Sequence, residues 1–127
     1  VEMRNESIYI RVDSEDSFAS GSADLQPNFE LMLADLARSI AGLTQSISIE
    51  GHTDNMPISF QERFQSNWDL SAARASSVAS VLMAQQGLSD VAYEVLGFAD
   101  TVPIATNETS EGRSKNRRIE IRMADFK

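Results

Sequence analysis

In "SIEGHTDNMPISF" the chain's single histidine, His52, stands two residues before Asp54 at the end of an apolar stretch. A little further on, "SNWDLSAARA" sets Arg74 in a run of alanines. Two chemistries are open to these residues. Imidazole and carboxylate could work as base and acid, or carboxylate and guanidinium could hold a ligand between them. An aspartate accepts an ammonium, and an arginine fork takes a carboxylate through two parallel hydrogen bonds. A ligand with both groups on one carbon, an amino-acid head, matches such a pair. A simple sugar or a phosphate does not.

The catalytic reading finds little else to stand on. Catalytic zinc takes three protein ligands, commonly two or more of them histidines, and this chain has one histidine and no cysteine. The lack of cysteine also removes disulfides and thiol catalysis. The many serines lack a G-x-S-x-G elbow. On an extended strand His52 and Asp54 share a face and Thr53 turns the other way. His52 therefore reads as structural, hydrogen-bonded near the base of the loop, with no catalytic residue, no metal and no cofactor expected. A hydrolase built on His52 and Asp54 is the enzyme alternative. Trp68 has two readings, a stacking platform for a sugar or a partly buried packing residue in the first turn of a helix.

The elements that must position these groups follow from periodicity. "SIYIRV" alternates, with Ile8, Ile10 and Val12 on one face, and predicts a first strand. "DSEDSFASGSADLQP" is turn-rich. Residues 27–42 predict a helix, with Phe29, Leu33, Leu36 and Ile40 at helical spacing, Pro27 in the first turn and Gly42 at the stop. "SISIEGHTD" predicts a second strand. Residues 55–66 form a connection longer than the usual 4–6 or so residues, a length more often functional than ornamental. "SNWDLSAARASSVASVLMAQQG" predicts a long helix, with Ser66 and Asp69 as a capping-box-like start and Gly87 as the stop. "AYEVLGFAD" and "RRIEIRM" predict the last two strands, separated by a long polar loop that ends in a helical turn. The order β-α-β-α-β-β has too few helices to cover both faces of a sheet. The fold class is therefore α+β, a two-layer α/β sandwich of two helices on a four-stranded mixed sheet. Its second and third strands should be parallel, with a right-handed crossover.

Carboxyl ends of strands and amino ends of the helices after them converge at one edge of a βαβ unit. Asp54, Asn67 near the helix cap, and Arg74 can thus gather at one mouth. Arg74 lies four residues after Leu70 and four before Val78, on the stripe that faces the sheet. An internal Asp54–Arg74 salt bridge is equally compatible with the spacing. Arg117 and Arg118 fall on opposite faces of the last strand. Either one of them completes the mouth or both form a surface charge cluster, and charge runs favour the second reading.

At 127 residues the chain is the size of one domain, residues 1–127, and its formal net charge of −8 argues against nucleic acid as a partner. The charge is uneven: residues 111–127 hold six basic side chains and three acids, against five and sixteen before them. The C-terminal end is thus a local basic patch suited to an anion. No apolar run approaches the roughly 20 residues that span a bilayer, and "VEMRNESIYI" has neither the basic start nor the apolar core of a signal peptide. With no initiator methionine, the chain reads as an excised piece, which leaves export or anchoring signals open upstream.

"FASGSADL", "IEGHTDN", "SNWDLSAARA" and "LGFADTVPIATNETSEGRSKNRRIEI", in this order, resemble the signatures of the OmpA-like peptidoglycan-binding domain, and the resemblance runs from about Phe18 to Met123. It implies a non-enzymatic module whose mouth grips the diaminopimelate of the cell-wall stem peptide. Asp54 would take the ammonium and Arg74 the carboxylate. Asn67, Leu70 and Arg117 would line the pocket, Thr53 and Asn55 would lie beside it, and His52 would be structural. Many members carry an aspartate where this chain has Ala19, which implies a weaker or differently arranged pocket. "SNWDLSAARA" after the longer "NMPISFQERFQ" connection is similar to the stator B subunits of the flagellar motor, the MotB and PomB type. That implies a periplasmic domain of a chain anchored in the inner membrane by a segment absent here. It would be a homodimer that acts with the stator A subunit and with other periplasmic motor proteins in motility and chemotaxis, driven by protons or sodium. The alternative is the same module tethering an outer-membrane protein or lipoprotein to the wall.

Overall fold

The computed structural model describes residues 2–4, 7–58 and 63–124, with side chains from Ser7 onward. Residues 59–62 of the long connection, and Asp125 and Lys127 of the basic end, lie outside the described residues.

The strands are β1 (Glu2–Arg4), β2 (Ser7–Asp13), β3 (Ser46–His52), β4 (Ala92–Gly97) and β5 (Arg118–Ala124). They form one sheet in the order β1-β2-β5-β3-β4. The β3–β4 pair is parallel and the others are antiparallel, so the mixed sheet expected from the sequence is present. It has five strands rather than four. The additional one, β1, is the three-residue edge segment "EMR", too short and too polar to carry an alternation signal.

Register places the apolar sets together. Ile8, Ile10 and Val12 of β2 lie opposite Met123, Ile121 and Ile119 of β5, and Ile47 and Ile49 of β3 lie opposite Met123 and Ile121. Helices α2 (Pro27–Ile40) and α3 (Asn67–Met83) bury their stripes against this face. Phe29, Leu33, Ala37 and Ile40 of α2 join Ala75, Val78, Ala79 and Leu82 of α3 in one cluster with the sheet isoleucines. Each fully buried aliphatic side chain contributes about 1.5–3 kcal/mol.

The helix ends follow local chemistry. Pro27 occupies the first turn of α2, and Gly42, at φ +80°, lies just past its end. At the start of α3 the Ser66 hydroxyl accepts the Asp69 amide, as the cap predicts. The helix stops at Met83, before the expected Gly87. One short helix was not foreseen, α1 (Ser14–Ser17) within the turn-rich segment, and the helical turn expected before the last strand is α4 (Ser110–Asn116). Two glycines let α3 lie directly on the sheet. A Cβ on Gly51 would stand 2.0 Å from the Ser71 carbonyl oxygen, and one on Gly97 would stand 2.7 Å from the Ala72 nitrogen.

Candidate functional site

Where β3 ends, the ladder gives way to a turn. The Thr53 amide donates to the Ala99 carbonyl at 2.8 Å, and Thr53 and Asp54 both line the cleft while His52 does not, so Asp54 has left the strand's alternation. His52 and Asp54 therefore do not share a face, contrary to the strand reading. Asp54 is 6% exposed, and its Oδ1 accepts the Met56 amide at 2.9 Å, closing an Asx turn. Asn67, the first residue of α3, donates its side-chain amide to the Met56 carbonyl at 3.0 Å and the Asp54 carbonyl at 3.4 Å.

Asp54 lines a cleft of about 400 Å³. Thr53, Asn67, Leu70, Arg74 and Arg117 also line it, so six of the seven site residues read from the sequence meet in one place. Asn55, the seventh, is exposed in the turn and is not among the lining residues. The rest of the wall comes from the α1 region, with Ser14, Glu15 and Phe18, and from the Met56–Ile58 rim. The α1 residues were not expected at the site, because α1 reaches it from a segment that local pattern marks only as turns, whereas the rim belongs to the long connection whose length had pointed to function.

Arg74 is buried on the inward stripe of α3. Its Nε donates to the Ser22 carbonyl at 2.8 Å, its Nη2 reaches the Ala19 carbonyl at 3.5 Å, and its guanidinium lies 5.0 Å from the centroid of the Phe18 ring. It thus braces the 18–25 turn while placing a positive charge on the cleft wall. Ala19 contributes its carbonyl there and no carboxylate.

The ion pair made by Asp54 is with Arg117, Nη1 to Oδ2 at 2.5 Å. Arg117 also pairs through Nη2 with Glu15. It follows α4 directly, with its amide donating to the Arg113 carbonyl, and its own carbonyl accepts the Ser14 amide at 2.9 Å. The cleft thus carries two carboxylates and two guanidinium groups.

Arg118 corrects the reading of both arginines as a surface cluster. It is 1% exposed, and its guanidinium donates to Glu120 at 2.5 Å, the Asn116 carbonyl at 3.1 Å and the Val102 carbonyl at 2.9 Å. Burial is possible because each of its three nitrogens meets an acceptor. Asn116 is also buried. It accepts the Ile104 and Ala105 amides and donates to the Ala105 carbonyl and Asn107 side chain, so it sets the shape of the 98–109 loop.

His52 is buried on the far side of the sheet. Its ring stacks on Phe98 with centroids 5.1 Å apart and planes 5° from parallel, and Nε2 lies 3.0 Å from Glu50. It does not line the cleft. Trp68, read as either a stacking platform or a partly buried packing residue, is 53% exposed. Among the described residues, no group of three His, Cys, Asp or Glu side chains is placed to hold a metal, and no helix is long and apolar enough to cross a membrane.

A family model described as the OmpA family matches residues 17–117. Motility protein B of Bacillus subtilis is 38% identical over 124 residues, which is 94% of this chain and 46% of that protein. The chain thus spans about half the length of this relative. Among solved structures, the cell wall anchor of the T6SS from Pseudomonas aeruginosa is 36% identical with a TM-score of 0.81, covering 93% of this chain and 81% of that one. The periplasmic domain of Helicobacter pylori MotB is 28% identical with a TM-score of 0.81, covering 97% and 86%. Both share the mixed α/β architecture described above.

Proposed function

The chain belongs to the OmpA family, and on that premise we propose that its cleft binds peptidoglycan without catalysis, gripping the zwitterionic end of a diaminopimelate side chain. One observation carries the reading: Asp54 and Arg74, from the end of a strand and from the following helix, line one cleft with opposite charges. An ammonium is suited to Asp54, whose carboxylate is held in place by the Met56 amide. A carboxylate is suited to the braced cation of Arg74, and Arg117, paired with Asp54, lines the same wall. Leu70 gives the ligand's methylene chain an apolar surface, and Thr53 and Asn67 shape the acid's side of the opening. Asn55, exposed beside the turn, would contact only a ligand that extends beyond the cleft.

The likeness to motility protein B and to the MotB periplasmic domain supports a role as the wall anchor of a flagellar stator. In this reading the domain works in the periplasm as part of a homodimer. A membrane segment upstream joins it to the stator A subunit. The likeness to a T6SS cell wall anchor favours a second reading, the same grip serving another envelope assembly.

The test is co-sedimentation with purified peptidoglycan, followed by analysis of the supernatant for released fragments. Binding without fragments is the expected result. Fragments would make the domain a hydrolase, and no binding would overturn the reading. The upstream sequence separates a stator from an outer-membrane tether: an apolar helix with an embedded Asp marks the first, and a lipobox or a β-barrel marks the second.

A further inference from the structure

Asp54 is the cleft's proposed seat for an ammonium, yet a cation of the protein already pairs with it. We propose that Arg117 is a displaceable internal counter-ion of Asp54, and that Glu15 is the seat that retains it when a ligand's ammonium takes its place. The inference rests on the wall-binding reading above and adds Glu15 and Arg117 as residues that set which ligands enter.

The geometry supports an exchange rather than a fixed bridge. Arg117 divides its guanidinium between two acids, Nη1 on Asp54 and Nη2 on Glu15. The two acids differ in freedom. The Asp54 side chain is 9% exposed and locked by the Met56 amide, while that of Glu15 is 54% exposed and that of Arg117 is 28% exposed. Motion is therefore open to Arg117 and Glu15 and closed to Asp54. The Ser14 amide bonds the Arg117 carbonyl at 2.9 Å, so the backbone keeps Glu15 beside Arg117 wherever the guanidinium points.

Charge then decides which ligands succeed. An ammonium that reaches Asp54 with Arg117 in place meets a like charge at close range, which is unfavourable. Moving Arg117 wholly onto Glu15 removes that repulsion without leaving either group unpaired. A ligand carrying an ammonium alone must drive this exchange unaided. A zwitterion also gains Arg74, so the exchange favours zwitterions over simple amines.

The experiment titrates the peptide L-Ala-γ-D-Glu-meso-diaminopimelate into wild type, Arg117→Gln, Glu15→Gln and the double variant by calorimetry. Arg117→Gln is expected to bind about tenfold tighter, because the competing cation is gone, and Glu15→Gln about tenfold weaker, because Arg117 stays on Asp54. The double variant should match Arg117→Gln, since Glu15 acts only through Arg117. A purely structural Glu15 would weaken binding in both backgrounds. If wild type binds and Arg117→Gln binds equally or more weakly, the exchange is wrong and the wall-binding reading stands. If neither binds, the cleft assignment fails and the exchange fails with it. Should Arg117→Gln not fold, Arg117→Met takes its place under the same outcomes, and unchanged binding by Glu15→Gln overturns the exchange.

Discussion

The side-chain amide of Asn67 donates to the Met56 carbonyl at 3.0 Å, fastening the first residue of α3 to the turn that follows β3. The same amide reaches the Asp54 carbonyl at 3.4 Å, so one side chain sets the shape of the turn that presents the acid. Asn67→Ala is expected to cost about 1–2 kcal/mol, the worth of two modest hydrogen bonds. Urea denaturation measures that loss. Peptidoglycan co-sedimentation under native conditions should fall further than the small unfolded fraction explains, because Asp54 is no longer held in register. Full binding by this variant would show that the turn keeps its shape unaided.

Asp54→Asn and Arg74→Ala are both expected to abolish co-sedimentation, but with different effects on stability. Asp54→Asn leaves Arg117 paired with Glu15, so its urea midpoint should stay near that of wild type. Arg74→Ala removes the donors to Ser22 and Ala19 and the cation over Phe18, and should lose about 1–3 kcal/mol while remaining folded. Circular dichroism checks the fold in each case. If both variants unfold, the two charges serve the interior and not a ligand.

Much of this arrangement was legible in the sequence because it depends on local period and on strand-to-helix connection. Phe29, Leu33 and Ile40 marked α2, Ser66 marked the start of α3, and the βαβ rule brought Asp54, Asn67 and Arg74 to one edge. What stayed hidden depends on contacts between distant segments. Glu15 and Arg117 are 102 residues apart, and no local pattern pairs them. Arg118 reads as one of a solvated pair, and only the Val102 and Asn116 carbonyls and Glu120 make its burial tolerable. The alternation rule failed at Asp54 because β3 ends at His52, two residues short of the expected strand, and Asp54 already belongs to the turn closed by the Met56 amide.

Gly51→Ala tests whether α3 must touch the sheet. The added methyl would stand 2.0 Å from the Ser71 carbonyl oxygen and 2.8 Å from its carbon, so backbone has to move. A loss of about 3 kcal/mol or more is expected, at the upper end of overpacking effects. Thermal denaturation measures it. A variant as stable as wild type would mean that α3 can lift from β3 at little cost.

Burial raises the pKa of the Tyr93 phenol above its ordinary value, and its hydroxyl donates to the Leu88 carbonyl at 2.9 Å. The neutral form is thus favoured in the folded state. Its contribution is fully present below the unfolded value of about 10 and is lost as pH rises through the higher folded value. Tyr93→Phe should therefore be slightly less stable at neutral pH, by about 0.5–1.5 kcal/mol for the hydrogen bond. Its stability should also decline less than that of wild type between neutral and strongly alkaline pH. Urea titrations at both pH values test this, and parallel declines would remove Tyr93 from the account.

His52→Ala separates a structural ring from a chemical one. The ring is 3% exposed and stacked on Phe98, so its removal leaves a cavity expected to cost about 2–4 kcal/mol. Because His52 lies away from the cleft, the folded fraction should bind peptidoglycan as wild type does. Co-sedimentation normalised to folded protein makes the comparison. A well-folded His52→Ala protein that no longer binds would give the ring a direct part in holding the wall. It would also mean that the far side of the sheet, where Glu50 and Glu120 surround this histidine, communicates with Asp54 two residues along the chain.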